Sequence, residues 1–115
     1  MGKHVVLATS KPQKFADEIL RHFNLTKYFD FVSGATFGPE RAKKQDVIKY
    51  ALDNIGNPEK SKVLMVGDRE HDIIGANLNG IDSVGVLYGY GSYDELKKEN
   101  ASYIIEKLND LFEII

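Results

Sequence analysis

The chain has no cysteine in its 115 residues, which excludes disulfides, thiolate nucleophiles and Cys-ligated zinc. Charge of one sign is also lacking. The 15 basic and 17 acidic residues are interspersed and leave a net charge of -2, so neither nucleic acid nor a membrane surface is expected as a partner. No apolar run approaches the roughly 20 residues that cross a bilayer, and the amino terminus carries no signal-type apolar segment. What is present, 43% hydrophobic and 28% charged residues, is ordinary globular composition. The expectation is one soluble, cytoplasmic domain over residues 1–115.

The most informative stretch is Lys62-Val63-Leu64-Met65-Val66-Gly67-Asp68-Arg69-Glu70-His71-Asp72. A short apolar run of strand type ends in Gly67, an acid follows at once, and a second comes where a helix should begin. In an open α/β sheet, ligands bind beyond the carboxyl ends of the strands, so Asp68 is the first candidate for chemistry. Helical spacing puts Asp72 one turn on, near a helix start that favours negative charge. The alternative is structural, with Asp68 capping the helix and Asp72 a first-turn acid.

In chain order, Val5-Val6-Leu7-Ala8 reads as a buried strand. Ser10 is placed to cap the next helix and Pro12 to sit in its first turn. That helix should bury Phe15, Ile19, Leu20 and Phe23, and end near Phe23. A second strand is expected over 29–33, and a second helix from about Ala42 with Val47, Ile48, Ala51, Leu52 and Ile55 as its stripe and Gly56 as its stop. The third strand, 62–66, leads to a helix over 70–79 with Ile73, Ile74, Ala76 and Leu78 inward and Gly80 after it. A fourth strand covers 83–87, and Tyr88-Gly89-Tyr90-Gly91 makes a loop that reads as lid or packing. Ser92 and Glu95 have capping-box spacing. A brief fifth strand, 103–105, and a last helix from about Asn109 complete the chain. Repeated β-α units predict a three-layer, doubly wound, five-stranded parallel sheet of flavodoxin-like order 2-1-3-4-5. That order would bring Thr9, Ser10 and Asp68 to one crevice at the switch point.

Three segments resemble the haloacid dehalogenase superfamily, in particular its phosphoglycolate-phosphatase-like branch. Leu7-Ala8-Thr9-Ser10-Lys11-Pro12, Lys44-Gln45-Asp46-Val47-Ile48 and Gly67-Asp68-Arg69-Glu70-His71-Asp72-Ile73-Ile74-Gly75-Ala76 look like its second, third and fourth motifs, in order. Gly85-Val86-Leu87-Tyr88-Gly89-Tyr90-Gly91 is similar to its late strand and loop. The resemblance implies a phosphohydrolase core in which Thr9, Ser10 and Lys44 bind phosphate, Asp68 is the chief Mg²⁺ ligand and Asp72 a second or outer ligand. A small phosphorylated molecule would be the ligand. These roles suit the groups: hydroxyl and ammonium donate to phosphoryl oxygens, and carboxylates suit Mg²⁺.

One departure matters. The family's nucleophile is an aspartate in an Asp-x-Asp-Gly-Thr motif on a first strand followed by a cap domain, and no such motif occurs here. Aspartyl-phosphate chemistry needs that carboxylate, so the resemblance implies a chain that is catalytically silent alone. The family's first strand also separates the counterparts of this chain's strands one and three by roughly 9.6 Å, whereas direct pairing would bring them to about 4.8 Å. The expectation is a squeezed phosphate slot with weak Mg²⁺ binding. The competing geometry leaves a gap that a missing amino-terminal segment or a second copy of the chain would fill. Met1-Gly2 directly before a core strand suggests a truncated or engineered chain, a natural fragment or a split protein. A reading of another class is a receiver-like signalling module with Asp68 as phospho-acceptor, against which stands Thr9-Ser10 where receivers carry acids.

Overall fold

A computed structural model describes residues 3–115, so the Met1-Gly2 start lies outside the described residues. Strands and helices alternate from β1 (Val6–Pro12), α1 (Gln13–His22), β2 (Phe31–Ala35) and α2 (Lys44–Asn54) to β3 (Leu64–Gly67), α3 (Glu70–Leu78), β4 (Asp82–Val86), α4 (Tyr93–Lys98) and β5 (Tyr103–Ile105). Tight 3-10 turns cover Thr26–Tyr28, Pro39–Arg41, Lys60–Lys62 and Leu108–Glu113; the last replaces the expected terminal helix. The chain divides into two compact units, one up to Pro58 and one from Glu59 on.

In the first unit β1 pairs parallel with β2, from Val6 opposite Phe31 to Ala8 opposite Ser33; the register then slips before Pro12 meets Ala35. Both α1 and α2 pack on this ribbon. From α2 come Val47, Ile48, Ala51 and Leu52, all buried as their spacing predicts, and Gly56 stops the helix at φ +89°, where a side chain would be strained. Ser33, fully buried, donates its Oγ hydrogen to the Val47 carbonyl at 2.7 Å. The expectation for α1 needs correction. Ala16 and Leu20 are buried, but Phe15, Ile19 and Phe23 are 46%, 41% and 65% exposed. A ribbon of two strands, about 4.8 Å between axes, is narrower than a helix of about 10 Å, so it covers only the central stripe and leaves the flanks open. The second strand begins two residues later than expected, and just before it the Asp30 amide donates to the Val5 carbonyl while the Asp30 carboxylate accepts from the Val5 amide. Nor does Ser10 cap α1: β1 runs on to Pro12, which occupies the cap position itself.

In the second unit β3, β4 and β5 form a parallel sheet in that order, with Leu64 opposite Asp82, Gly67 opposite Gly85, and Val84 opposite Tyr103. Val84, Val86 and Ile105 form a buried cluster joined by Leu64, Leu111 and Ile114. Ile73 and Ala76 of α3 and Leu96 of α4 are also fully buried, whereas Leu78, expected inward, is 62% exposed in the last turn of α3.

The parallel α/β class stands, and of the neighbours implied by the order 2-1-3-4-5, three pairs form. The fourth does not: strands one and three belong to separate sheets, so the single five-stranded sheet is corrected to a two-stranded and a three-stranded one. β1 and β3 are each an end strand of their own sheet.

Candidate functional site

Within the first unit, Thr9 lies half-buried on β1 where the pairing with β2 loosens. Its Oγ1 accepts a hydrogen bond from the Lys11 amide at 3.2 Å, so its own hydrogen remains for another acceptor. Lys44, the first residue of α2, reaches back 36 positions to place Nζ 2.6 Å from the Ala8 carbonyl. A hydroxyl and an ammonium are thereby brought to the same stretch of β1. Ser10 is exposed one residue further along.

Within the second unit, β3 ends at Gly67 and the chain turns through Asp68 into α3, whose cap position is held by Arg69. The structural alternative for Asp68 as helix cap is therefore corrected. Asp72, at the third helical position and 7% exposed, takes that duty: its Oδ2 accepts from the Asp68 amide at 3.1 Å and the Arg69 amide at 3.3 Å. Gly67 has to be glycine for this turn, since a Cβ there would collide with the Asp72 carboxylate.

The Asp68 side chain points to the loop after β4. Its Oδ2 accepts from the Tyr90 amide at 2.9 Å, and a Cβ on Gly89 would strike the same carboxylate. Glu95 completes the arrangement. The Ser92 Oγ caps α4 by accepting from the Glu95 amide at 3.1 Å, as the spacing predicts. The return half of the capping box is replaced: Glu95 Oε2 accepts instead from Arg69 Nε at 2.9 Å and the Glu70 amide at 2.8 Å. The hydrogen bond from Arg69, then that from the Glu70 amide, hold the Glu95 carboxyl below its usual range, and Glu95 raises Arg69 in return. Sequence reasoning missed this role for Glu95, because its partners lie 25 and 26 residues away.

Among the described residues no three His, Cys, Asp or Glu side chains converge as a metal cage. Mg²⁺ does not require one; it keeps several waters and is held by one or two carboxylates with phosphate oxygens. Asp68, half-buried with one oxygen oriented by an amide, fits that pattern. Asp72, with Oδ2 committed to two amides, fits an outer role that orients Asp68.

Residues 1–86 match the family model of haloacid dehalogenase-like hydrolases. The chain is 38% identical over 114 residues to a 5'-nucleotidase of Pseudomonas aeruginosa, covering 99% of this chain and 51% of that protein. It is 32% identical over 114 residues to a phosphoglycolate phosphatase of Vibrio parahaemolyticus, covering 99% and 50%. The crystal structure of a predicted phosphatase from Clostridium acetobutylicum superposes with a TM-score of 0.91 at 44% identity, covering 98% of this chain and 52% of that one. The chain thus spans about half the length of the curated relatives it matches. With the model match extending over three quarters of its 115 residues, the chain belongs to the haloacid dehalogenase-like hydrolases.

Proposed function

We propose that this chain carries the phosphate-holding and Mg²⁺-holding residues of a phosphohydrolase and is catalytically silent by itself. The observation that carries the reading is the turn after β3. There a strand ends in glycine, Asp68 presents a carboxylate oriented by the Tyr90 amide, and Asp72 fixes the main chain behind it. Thr9 would donate its hydroxyl hydrogen, and Lys44 its ammonium, to oxygens of a phosphorylated small molecule. Asp68 would hold Mg²⁺, which when bound neutralises phosphoryl charge. Absence of the Asp-x-Asp-Gly-Thr motif from these residues supports silence, because that motif supplies the family's attacking carboxylate. Family membership favours this reading over the receiver-like module.

Hydrolysis of an aryl phosphate, with and without Mg²⁺ and with Asp68→Asn as the background, tests it. The expected result is no turnover above the variant; Mg²⁺-dependent turnover that disappears in Asp68→Asn would refute silence.

A second reading, half of a phosphatase completed by another polypeptide, is favoured by the open edges of β1 and β3, which end their sheets and offer unpaired backbone to an added strand. A peptide carrying the family's nucleophile motif, added in trans, should then restore Mg²⁺-dependent turnover.

A further inference from the structure

The Tyr88–Gly91 loop is the feature that the family reading leaves without a task. Gly91 is packed so closely on the Asp68 main chain that a Cβ there would overlap the Asp68 carbonyl oxygen, and Gly89 lies equally close to the Asp68 side chain. Between them the Tyr90 amide donates to Asp68 Oδ2, while Tyr90 itself is 93% exposed. A loop this close to one residue, through both glycines and an amide, is shaped to that residue.

The loop is anchored just beyond the glycines. A Cβ on Gly91 would stand 3.2 Å from Glu95 Oε2, the oxygen that also receives Arg69 Nε and the Glu70 amide. Glu95, four residues past Gly91 in α4, bonds the two residues that follow Asp68 in sequence and so holds the chain just beyond the loop to them. Ser92 holds the start of α4, and with it Glu95, through the cap on the Glu95 amide.

We propose that Gly89-Tyr90-Gly91 is a main-chain strap that orients the Asp68 carboxylate, and that Glu95 is the positioning residue that keeps the strap closed. This rests on the reading of Asp68 as a cation ligand. The physical basis is preorganisation. A carboxylate with one oxygen fixed by an amide presents the other in a defined direction, and outer partners of this kind typically alter metal affinity about 10–100-fold. Tyrosine is not required at position 90, because only its amide acts.

The test uses the full chain, isotope-labelled, with Mn²⁺ as a paramagnetic probe for a site of hard oxygen ligands. Two quantities are read by NMR: exchange of the Tyr90 amide without metal, and the Mn²⁺ dissociation constant from broadening around Asp68. Protection of the Val84 amide reports that the unit is folded. The strap predicts a protected Tyr90 amide, about tenfold faster exchange in Glu95→Ala, and Mn²⁺ binding weakened by about tenfold. Glu95→Gln, which keeps an acceptor oxygen for Arg69 and Glu70, should recover most of both. Tyr90→Phe should change neither. If Glu95→Ala loses Val84 protection, Ser92→Ala is read in its place, with a smaller loss of the same sign.

An unprotected Tyr90 amide in the parent chain, or unchanged Mn²⁺ affinity in a folded Glu95→Ala chain, overturns the strap. A protected Tyr90 amide that Glu95→Ala releases, in a chain that binds no Mn²⁺ at Asp68, supports the strap and overturns the metal reading.

Discussion

Shortening Leu96 should remove, or reverse, the cost of adding a methyl group at Gly85. Gly85 lies on β4, the central strand of its sheet, between Gly67 and Ile104 of the neighbouring strands, and a Cβ on it would stand 2.8 Å from Leu96 Cδ1 and 3.2 Å from Leu96 Cβ and Cδ2. The nearest contact is about 0.7 Å short of ordinary carbon–carbon separation. Leu96 is fully buried and cannot swing into solvent. Gly85→Ala alone forces overpacking at about 1–3 kcal/mol, offset by about 0.4–1 kcal/mol from a less flexible unfolded chain. Leu96→Ala alone removes three buried carbons, roughly 2.4 kcal/mol of transfer energy, and with the cavity should cost about 3–4 kcal/mol. With Leu96 already shortened, the obstructing Cδ atoms are gone while the unfolded-state gain remains. Gly85→Ala should then be neutral or slightly stabilising, for a coupling of about 1.5 kcal/mol. Urea denaturation followed by far-ultraviolet circular dichroism measures all four corners of the cycle. A cost of 1 kcal/mol or more for Gly85→Ala in both backgrounds would refute the packing argument.

Three further outcomes are expected. Ser33→Ala should cost about 1 kcal/mol, since it deletes the buried bond to the Val47 carbonyl; an unchanged urea midpoint would contradict this. Arg41→Lys should cost about 1–2 kcal/mol, because lysine cannot at once donate to the Gly34 carbonyl as Nε does at 2.7 Å and stack on the Tyr50 ring, 3.6 Å from the guanidinium carbon; an unchanged urea midpoint would refute it. Glu95, whose carboxyl lies below its ordinary value of 4.5, should stabilise the fold above that value and lose its contribution as pH falls through the lower folded value. Acid unfolding of Glu95→Gln should therefore be less steep in that window, and a carboxyl NMR titration of Glu95 at or above its ordinary value would refute the argument.

How much could be read in advance depended on the range of the interaction that decides each feature. The buried stripe of α2, the Gly56 and Gly80 stops, both at positive φ, the Ser92 cap and the span of β5 follow from neighbours within a turn or two. Phe15, Ile19 and Phe23 have helical periodicity as well, yet their exposure is decided by the width of the ribbon beneath them, which no local pattern encodes. Asp68 and Asp72 were legible as acids at a strand–helix junction. The division between them, one carboxylate held by a distant loop and the other by the amides it caps, was not, because a bond across 22 residues leaves no mark in spacing. Lys44 at the front of α2 was legible only by resemblance, since its reach to Ala8 depends on how α2 lies on β1.

The commitment of Asp72 to the amides of Asp68 and Arg69 changes how substitutions there should be interpreted. An alanine at that position opens the turn that aims its neighbour, so a loss of ligand affinity would register as altered chemistry although the primary damage is conformational. Asparagine, which keeps an acceptor for the two amides but no charge, separates these causes. In a longer relative sharing this turn, an inactivating change at the equivalent acid would by itself identify neither a ligand nor a catalyst. A single codon answers to two selections at once, one for the shape of the turn and one for whatever Asp68 holds.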